Sequence, residues 1–126
     1  MKTCAIYAII NRATNKIYIG QTRDISNRRS SHFAALRLNR HRNRHLQAAF
    51  NKYGANAFAF RILEIVHSPF QLDDREKTHI SLHHSTDPRY GYNSESGGRR
   101  NHNITISTRL NMTRAQQIRR NREYSI

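Results

Sequence analysis

The pattern of apolar and polar residues begins with two short apolar runs that predict a β-hairpin. Residues 4–10 and 17–20 are mostly aliphatic and aromatic, and the largely polar residues 11–16 separate them. β-branched and aromatic side chains favour strands, whereas Asn side chains favour turns. The first predicted strand carries Tyr7 and the second carries Tyr18. The chain is therefore expected to start with a hairpin that holds two tyrosines.

Helical spacing of apolar residues follows the hairpin in two segments. The first starts near Asp24 or Ser26, either of which can cap a helix by accepting hydrogen bonds from its free N–H groups. The second covers residues 43–54, where Asn43 is a suitable N-cap and Gly54 a suitable left-handed end. We predict two consecutive helices after the hairpin.

A third strand and a third helix complete the predicted fold. Residues 58–66 have the composition of a strand, which we expect to be buried in the centre of the sheet. A helix is predicted over residues 69–83, because proline favours the first helical turn and turn-forming residues follow at 85–88. The order of elements indicates an α+β domain over residues 1–95, a small three-stranded antiparallel sheet flanked by helices.

The remaining residues, 96–126, differ in composition from this domain. They hold seven arginines and one acid, Glu123, with few apolar residues. Residues 113–122 have the spacing of a capping box but only a small apolar face, so a helix there is marginal. We expect a basic C-terminal arm that packs loosely on the domain or becomes ordered on a bound polyanion such as DNA.

Charge narrows the class of partner. The 126 residues include 22 Lys and Arg against 8 Asp and Glu, a formal net charge of +14. Such a field attracts nucleic acid, as substrate of an enzyme or as partner of a structural RNA-binding protein. No run approaches the ~20 apolar residues of a membrane span, and the N-terminal apolar run is broken at Asn11. We expect no membrane partner and no secretion, and a location in the cytoplasm or wherever the target DNA resides.

Several ordered positions resemble the GIY-YIG nuclease family. Residues 5–7, Ala-Ile-Tyr, and 18–20, Tyr-Ile-Gly, stand where the two signature triplets fall, with alanine in place of the first glycine. The other matches follow in family order and are Arg28, His41, the segment 46–54, Glu76 and Gly91-Tyr92-Asn93. The likeness extends from residue 4 to about residue 95 and is strongest to the phage and intron homing-endonuclease branch.

This resemblance implies a DNA endonuclease of the homing or phage mobile-element type that hydrolyses phosphodiester bonds with one divalent metal ion. The implied catalytic residues are Tyr7, Tyr18, Arg28, His41 and Glu76. The likeness favours Tyr7 as the general base with His41 assisting, and the choice between them stays open. It gives Tyr18 a supporting role at the phosphate or a metal-bound water. Asn93 is expected to form hydrogen bonds that hold either the helix carrying Glu76 or a metal-bound water.

Elementary chemistry supports two of these assignments independently. A phosphodiester hydrolase must activate water, stabilise a pentavalent phosphate and neutralise the leaving oxygen. The carboxylate of Glu76 suits Mg²⁺, with Mn²⁺ as a substitute, because hard cations prefer carboxylate oxygen. The planar guanidinium of Arg28 can bind two phosphate oxygens and stays charged. The nearby acids Asp73 and Asp74 are expected to be surface or helix N-terminal charges.

Further basic residues are predicted to contact double-stranded DNA. They are Arg29, Arg40, Arg42, Arg44, Lys52, Arg99 and Arg100. No small-molecule cofactor is expected. The alternative is a catalytically silent nucleic-acid-binding module on the same scaffold, although an isolated acid such as Glu76 among so many cations favours an enzyme.

Overall fold

The computed structural model describes residues 2–94, which form one three-stranded sheet and three α-helices. The strands are β1 (Ala5–Asn11), β2 (Ile17–Thr22) and β3 (Phe58–Ile65). The helices are α1 (Ile25–Arg37), α2 (Arg44–Tyr53) and α3 (Leu72–His83), with 3-10 turns at Ala55–Ala57 and Pro69–Gln71. The predicted α+β architecture is therefore confirmed. The predicted arm, including the helix at 113–122, lies outside the described residues.

The caps explain where α1 and α2 begin and end. The N–H of Asn27 donates to the carboxylate of Asp24 at 3.2 Å, and the N–H of Leu46 donates to the side chain of Asn43 at 2.9 Å. Gly54 follows α2 with a φ of +87°, a conformation that costs glycine little. These caps are the ones that the sequence predicts, and they leave a short basic loop between the two helices.

The prediction that β3 is the central strand is wrong. The strands lie in the order β2-β1-β3 and pair antiparallel, so β1 is central. Ile62 and Ile65 of β3 are 47% and 44% exposed. The amino-acid composition of a segment indicates that it forms a strand. It does not specify which other strand the segment pairs with. The central position of β1 places Tyr7 between two neighbouring strands.

Helices cover both faces of the sheet. One face packs against α1 and α2 in a cluster of Tyr7, Ile9, Leu36, Leu46, Phe50, Phe58 and Tyr92. The other packs against α3 in a cluster of Ile6, Ala8, Ile19, Val66, Leu72 and Ile80. Side chains from α1 and α3 therefore approach the hairpin from opposite sides.

Candidate active site

Tyr7 places a buried hydroxyl beside the second strand of the hairpin. The residue is 2% exposed, and its ring stacks on Phe60 with the centroids 5.0 Å apart. Tyr7 pairs with Gly20 of β2, and a Cβ built on Gly20 would overlap the Tyr7 hydroxyl. The second triplet therefore has to end in glycine, because the hydroxyl occupies the space of a side chain.

Two histidines extend from this hydroxyl as a hydrogen-bonded chain. The Tyr7 oxygen lies 2.5 Å from Nε2 of His32, and Nδ1 of His32 lies 2.7 Å from Nε2 of His41. At the far end, the backbone N–H of Asn43 donates to Nδ1 of His41 at 3.0 Å. Since a nitrogen that accepts a hydrogen bond carries no proton, Nδ1 of His41 is the unprotonated nitrogen.

The backbone N–H of Asn43 sets which atom donates and which accepts in every hydrogen bond from His41 to Tyr7. Burial lowers the pKa of His32 to about 3, and the neighbouring His41 and Arg28 add to this shift. Burial also lowers the pKa of His41, and the charge of the neighbouring Arg42 adds to this shift. Both rings are therefore neutral near neutral pH, and each carries one proton. His41 donates from Nε2 to His32, and His32 donates from Nε2 to the oxygen of Tyr7.

His32 belongs to the site, although the sequence alone assigns it no role. It is 8% exposed and lies on α1, four residues after Arg28. Residues four apart share one face of a helix, and the charge of Arg28, which is exposed, acts on both His32 and Tyr7. This spacing is the signal that could have found His32.

Tyr18 lies on the same face of the sheet as Tyr7. It pairs with Ile9, two residues after Tyr7, and alternate residues of a strand point to one side. Its ring meets His32 and His41 edge-on, with centroid distances of 5.7 and 5.9 Å. The two tyrosines and the two histidines thus form a single group of rings.

The charges of Arg28 and Glu76 both act on Tyr7. Burial raises the pKa of the Tyr7 phenol well above its ordinary value, and the neighbouring Tyr18 raises it further. Arg28 lowers this pKa and Glu76 raises it. The structure therefore brings the predicted arginine and glutamate close enough to influence one hydroxyl, although they lie on helices from opposite faces of the sheet.

Glu76 reaches the site through Gln21, a residue to which the sequence alone assigns no role. Nε2 of Gln21 donates to Oε1 of Glu76 at 3.0 Å and to Oδ1 of Asp73 at 2.7 Å. Asp73 is half-buried and Asp74 is exposed, and both lie in the first turn of α3, as predicted for helix N-terminal charges. Gln21 follows Gly20 directly, so consecutive residues of β2 contact the phenol of Tyr7 and the carboxylate of Glu76.

The acids of α3 have the chemistry of a divalent-cation site. Glu76 is 9% exposed and Asp73 lies one helical turn before it. Within residues 2–94, no three His, Cys, Asp or Glu side chains are grouped around a common metal position. Mg²⁺ suits such a sparse site, since it often uses one or two carboxylates and completes its shell with water and phosphate.

Asn93 contacts β2 instead of the predicted glutamate helix. Its Oδ1 accepts from the N–H of Ile19 at 2.8 Å, and its Nδ2 donates to the C=O of Ile19 at 2.9 Å. The amide takes the place of a neighbouring strand, because Ile19 belongs to the outer edge of β2. Asn93 thus fixes the backbone between Tyr18 and Gly20 in place of the helix that carries Glu76, and its predicted contact with a metal-bound water stays a prediction.

The predicted DNA-contacting residues within residues 2–94 are exposed. They are Arg29 on α1, Arg40 and Arg42 in the following loop, and Arg44 and Lys52 on α2. Arg40, Arg42 and Arg44 line one recess together with His41. Arg99 and Arg100 lie outside the described residues. A basic surface thus continues directly from the histidine chain.

Acid is expected to destabilise the protein through His32. Its pKa is about 3 in the folded chain and 6.5 when unperturbed, so between these values the unfolded chain binds a proton that the folded chain does not. The contribution of His32 to the free energy of unfolding is fully present above about pH 6.5. It falls by on the order of 4 kcal/mol as the pH is lowered toward 3. Urea unfolding measured from about pH 7 down to pH 4 should give a shallower pH dependence for His32→Gln than for the parent.

The matched control for this measurement is His45→Gln. His45 is an exposed residue of α2, and its replacement should leave the pH dependence of unfolding unchanged. Equal slopes for the parent and His32→Gln would contradict the buried neutral histidine.

Comparison with known proteins shows the family to which the chain belongs. Residues 3–93 match the model of the GIY-YIG catalytic domain. Intron-associated endonuclease 1 of Enterobacteria phage T4 is 40% identical over 68 residues, which are 54% of this chain. The match spans only 26% of that relative's length.

Solved structures extend the likeness to the fold. The catalytic domain of intron endonuclease I-TevI, as a point mutant, superposes with a TM-score of 0.69 at 33% identity over 78% of this chain and 98% of that one. A second structure of the domain gives a TM-score of 0.67 at 32% identity, over 73% of this chain and 98% of that one. Because the family model matches most of the sequence and the three-stranded fold agrees, the chain belongs to the GIY-YIG catalytic domain family, as its sequence predicts.

Proposed function

We propose that this chain is a homing-type DNA endonuclease that cleaves double-stranded DNA with Mg²⁺ bound at Glu76. The observation that carries the proposal is the environment of the buried Tyr7 hydroxyl. This hydroxyl accepts a hydrogen bond from the first of two hydrogen-bonded neutral histidines, and the charges of Arg28 and Glu76 shift its pKa. The names of the matched relatives support this class, since they are intron endonucleases. GIY-YIG nucleases use divalent metal ions, and we expect Mn²⁺ to substitute for Mg²⁺ here.

Tyr7 is the better candidate for the general base than His41. Both nitrogens of His41 are engaged, one accepting from Asn43 and the other bonded to His32, so His41 cannot take a proton without breaking the chain. The Tyr7 oxygen accepts a hydrogen bond from His32, which stabilises a phenolate. A phenolate keeps lone pairs to take the proton of an attacking water.

The hydrogen bond that His32 donates to Tyr7 also limits which group can receive the phenol proton of Tyr7. Nε2 of His32 already carries a proton, so it cannot receive the one that Tyr7 loses. The proton therefore leaves on the side of the solvent or the DNA. Arg28 favours this loss because its positive charge lowers the pKa of Tyr7.

The charged residues divide the rest of the reaction between them. Arg28 is placed to bind oxygens of the phosphate and to stabilise the charge of the pentavalent state. A divalent ion on the carboxylate of Glu76 would act as a Lewis acid toward the phosphate and the leaving oxygen. Gln21 orients that carboxylate by its hydrogen bond, and Asn93 holds the strand that carries Tyr18.

The partner in this proposal is DNA alone, with no small-molecule cofactor and no membrane. The exposed arginines around His41 provide the sequence-independent contacts to phosphates that give affinity a steep salt dependence. In the part of the chain that the structure describes, no helix has the length and apolar character to span a membrane. We expect the protein to act in the cytoplasm or wherever its target DNA resides.

Plasmid cleavage tests the proposal. The parent chain should nick or linearise supercoiled plasmid with Mg²⁺ and stop when a chelator is added. Arg28→Ala should lose about 10² to 10³ in rate, because one charge stabiliser of the transition state is gone. Arg37→Ala is the matched control, since Arg37 is an exposed arginine of the same helix with no role assigned in catalysis or DNA contact, and its rate should stay close to that of the parent.

Two outcomes would overturn parts of this picture. Equal rates for Arg28→Ala and the parent would remove Arg28 from the site. If the parent bound DNA with steep salt dependence but cut none with any divalent ion, the chain would be a silent binding module on the nuclease scaffold.

A further inference from the structure

A basic recess lies beside the histidine chain, between the α1–α2 loop and α2. It has a volume of about 480 Å³, within the range of small-molecule sites. Its lining residues are Asn39, Arg40, His41, Arg42, Arg44, Gln47, Ala48 and Asn51. Because His41 belongs both to the recess and to the chain from Tyr7, a group bound in the recess would be next to the site of chemistry.

Three amides along one wall of this recess are joined in a fixed direction. The N–H of His41 donates to Oε1 of Gln47 at 2.9 Å, and Nε2 of Gln47 donates to the C=O of Leu36 at 2.9 Å. These two backbone groups set the orientation of the Gln47 amide. Its Nε2 also donates to Oδ1 of Asn51 at 3.0 Å, and Nδ2 of Asn51 donates to Oδ1 of Asn39 at 3.1 Å.

Asn39, the last amide of this row, still has hydrogen-bonding atoms available for a ligand. Gln47 uses both hydrogens of its amide within the protein, whereas Nδ2 of Asn39 has no acceptor among residues 2–94. Oδ1 of Asn39 accepts one hydrogen bond and has a second lone pair. Asn39 therefore presents a donor and an acceptor side by side, in an orientation fixed by the backbone through Gln47 and Asn51.

The backbone holds Asn39 in an uncommon conformation. Its φ is +59°, in the left-handed region that asparagine tolerates better than most residues. The side chain is exposed and projects from the end of α1. A helix end by itself would be served equally well by glycine, which lacks the amide.

We propose that this recess binds one nucleotide of the DNA next to the cleaved phosphate, and that Asn39 contacts the edge of its base with a preference for adenine. The proposal rests on the proposed DNA-cleaving function. The three arginines provide charge for the phosphate, and paired donor and acceptor atoms of an asparagine amide match N7 and N6 of adenine. The recess would thus add base selectivity to a site whose tyrosines and arginine act on any phosphodiester.

Sequence selection in two assays tests this proposal. In the first, the parent chain with Mg²⁺ cuts duplex DNA of random sequence, and the product ends are sequenced. In the second, the Glu76→Ala chain selects binding sites from the same pool without cleavage. Adenine should be enriched at one fixed position beside the cleaved bond by about tenfold or more, and at the same position among bound sequences.

Substitutions at Asn39 give the decisive comparison. Asn39→Gly keeps the left-handed backbone and removes the amide, so the adenine preference should disappear while cleavage continues. Asn39→Asp replaces the free donor by an acceptor and should shift the preference toward cytosine, whose N4 donates. Asn15→Gly is the matched control, because Asn15 is an exposed asparagine of the hairpin turn with a φ of +65°.

The outcomes separate this proposal from the proposed function. A parent chain that cuts no DNA, with an Asn39-dependent adenine still selected in binding, would overturn the nuclease assignment alone. Cleavage with no adenine position, or with the same adenine preference in Asn39→Gly, would overturn base recognition by the recess. A uniform loss of rate across all sequences in Asn39→Gly would reduce the recess to a phosphate contact and also overturn it.

Discussion

Replacing Glu76 by glutamine is expected to reduce Mg²⁺-dependent cleavage by about a thousandfold, because a metal centre supplies several kcal/mol of transition-state stabilisation. The change removes the charge but keeps the shape of the side chain. The amide oxygen can still accept the hydrogen bond from Gln21, so α3 should remain docked on the hairpin. Initial rates of plasmid cleavage over a Mg²⁺ titration measure the effect, and added Mg²⁺ should not restore the parent rate.

A second carboxylate serves as the matched control for this prediction. Glu64 lies on β3 and accepts hydrogen bonds from Arg75 and His79 of α3, so it is also a partly buried acid beside that helix. Glu64→Gln should cleave at close to the parent rate, since its contacts are structural. A thousandfold loss in Glu64→Gln, or near-parent cleavage by Glu76→Gln, would contradict the assignment of the metal to Glu76.

The local features of this fold were readable from the sequence because their causes are local. The caps at Asp24 and Asn43 and the glycine after α2 are decided by side chains within a few residues of the helix ends. The hairpin is decided by its turn and by the apolar residues on either side. The order of strands is not local, and the position of β3 was predicted wrongly because composition alone does not select its partner.

Residue types and their spacing indicate candidate site residues, whereas the contacts between those residues are seen only in the structure. Tyrosine, arginine and glutamate at their spacing pointed to the chemistry, and the structure brings them to one hydroxyl. Gln21 and Glu76 are 55 positions apart, and nothing in the spacing of a glutamine indicates that it will bind a carboxylate across the sheet. His32 lies four residues after Arg28 on one helix, but this spacing alone does not indicate that its ring meets the hydroxyl of Tyr7.

Asn93 is a second residue whose contact partner the sequence does not indicate. Its place in family order predicts a supporting residue, but order alone does not indicate which group its side chain contacts. The structure gives that partner as the backbone of Ile19, at the edge of β2. An amide can replace a strand neighbour only if the following chain returns along that edge, which is a property of the whole fold.

Tyr7→Phe is expected to lower the rate of cleavage by about 10² to 10⁴, the usual contribution of a general base. The variant keeps the ring that stacks on Phe60 and loses only the hydroxyl. It also leaves Nε2 of His32 buried without its acceptor, which costs about 1 to 3 kcal/mol of stability. Unfolding in urea should be measured alongside cleavage, so that the loss of rate can be separated from a loss of folded protein.

The pH dependence of cleavage distinguishes a base from a merely structural tyrosine. Because the pKa of Tyr7 is raised, little phenolate is present near neutral pH and the fraction grows as the pH rises. The parent rate should therefore increase into the alkaline range, and Tyr7→Phe should lose this increase. Tyr90→Phe, at a residue 50% exposed, should keep both the rate and the pH profile. If Tyr7→Phe retained the alkaline increase, the proton acceptor would have to be another group, and the histidine chain would serve only to hold the tyrosine in place.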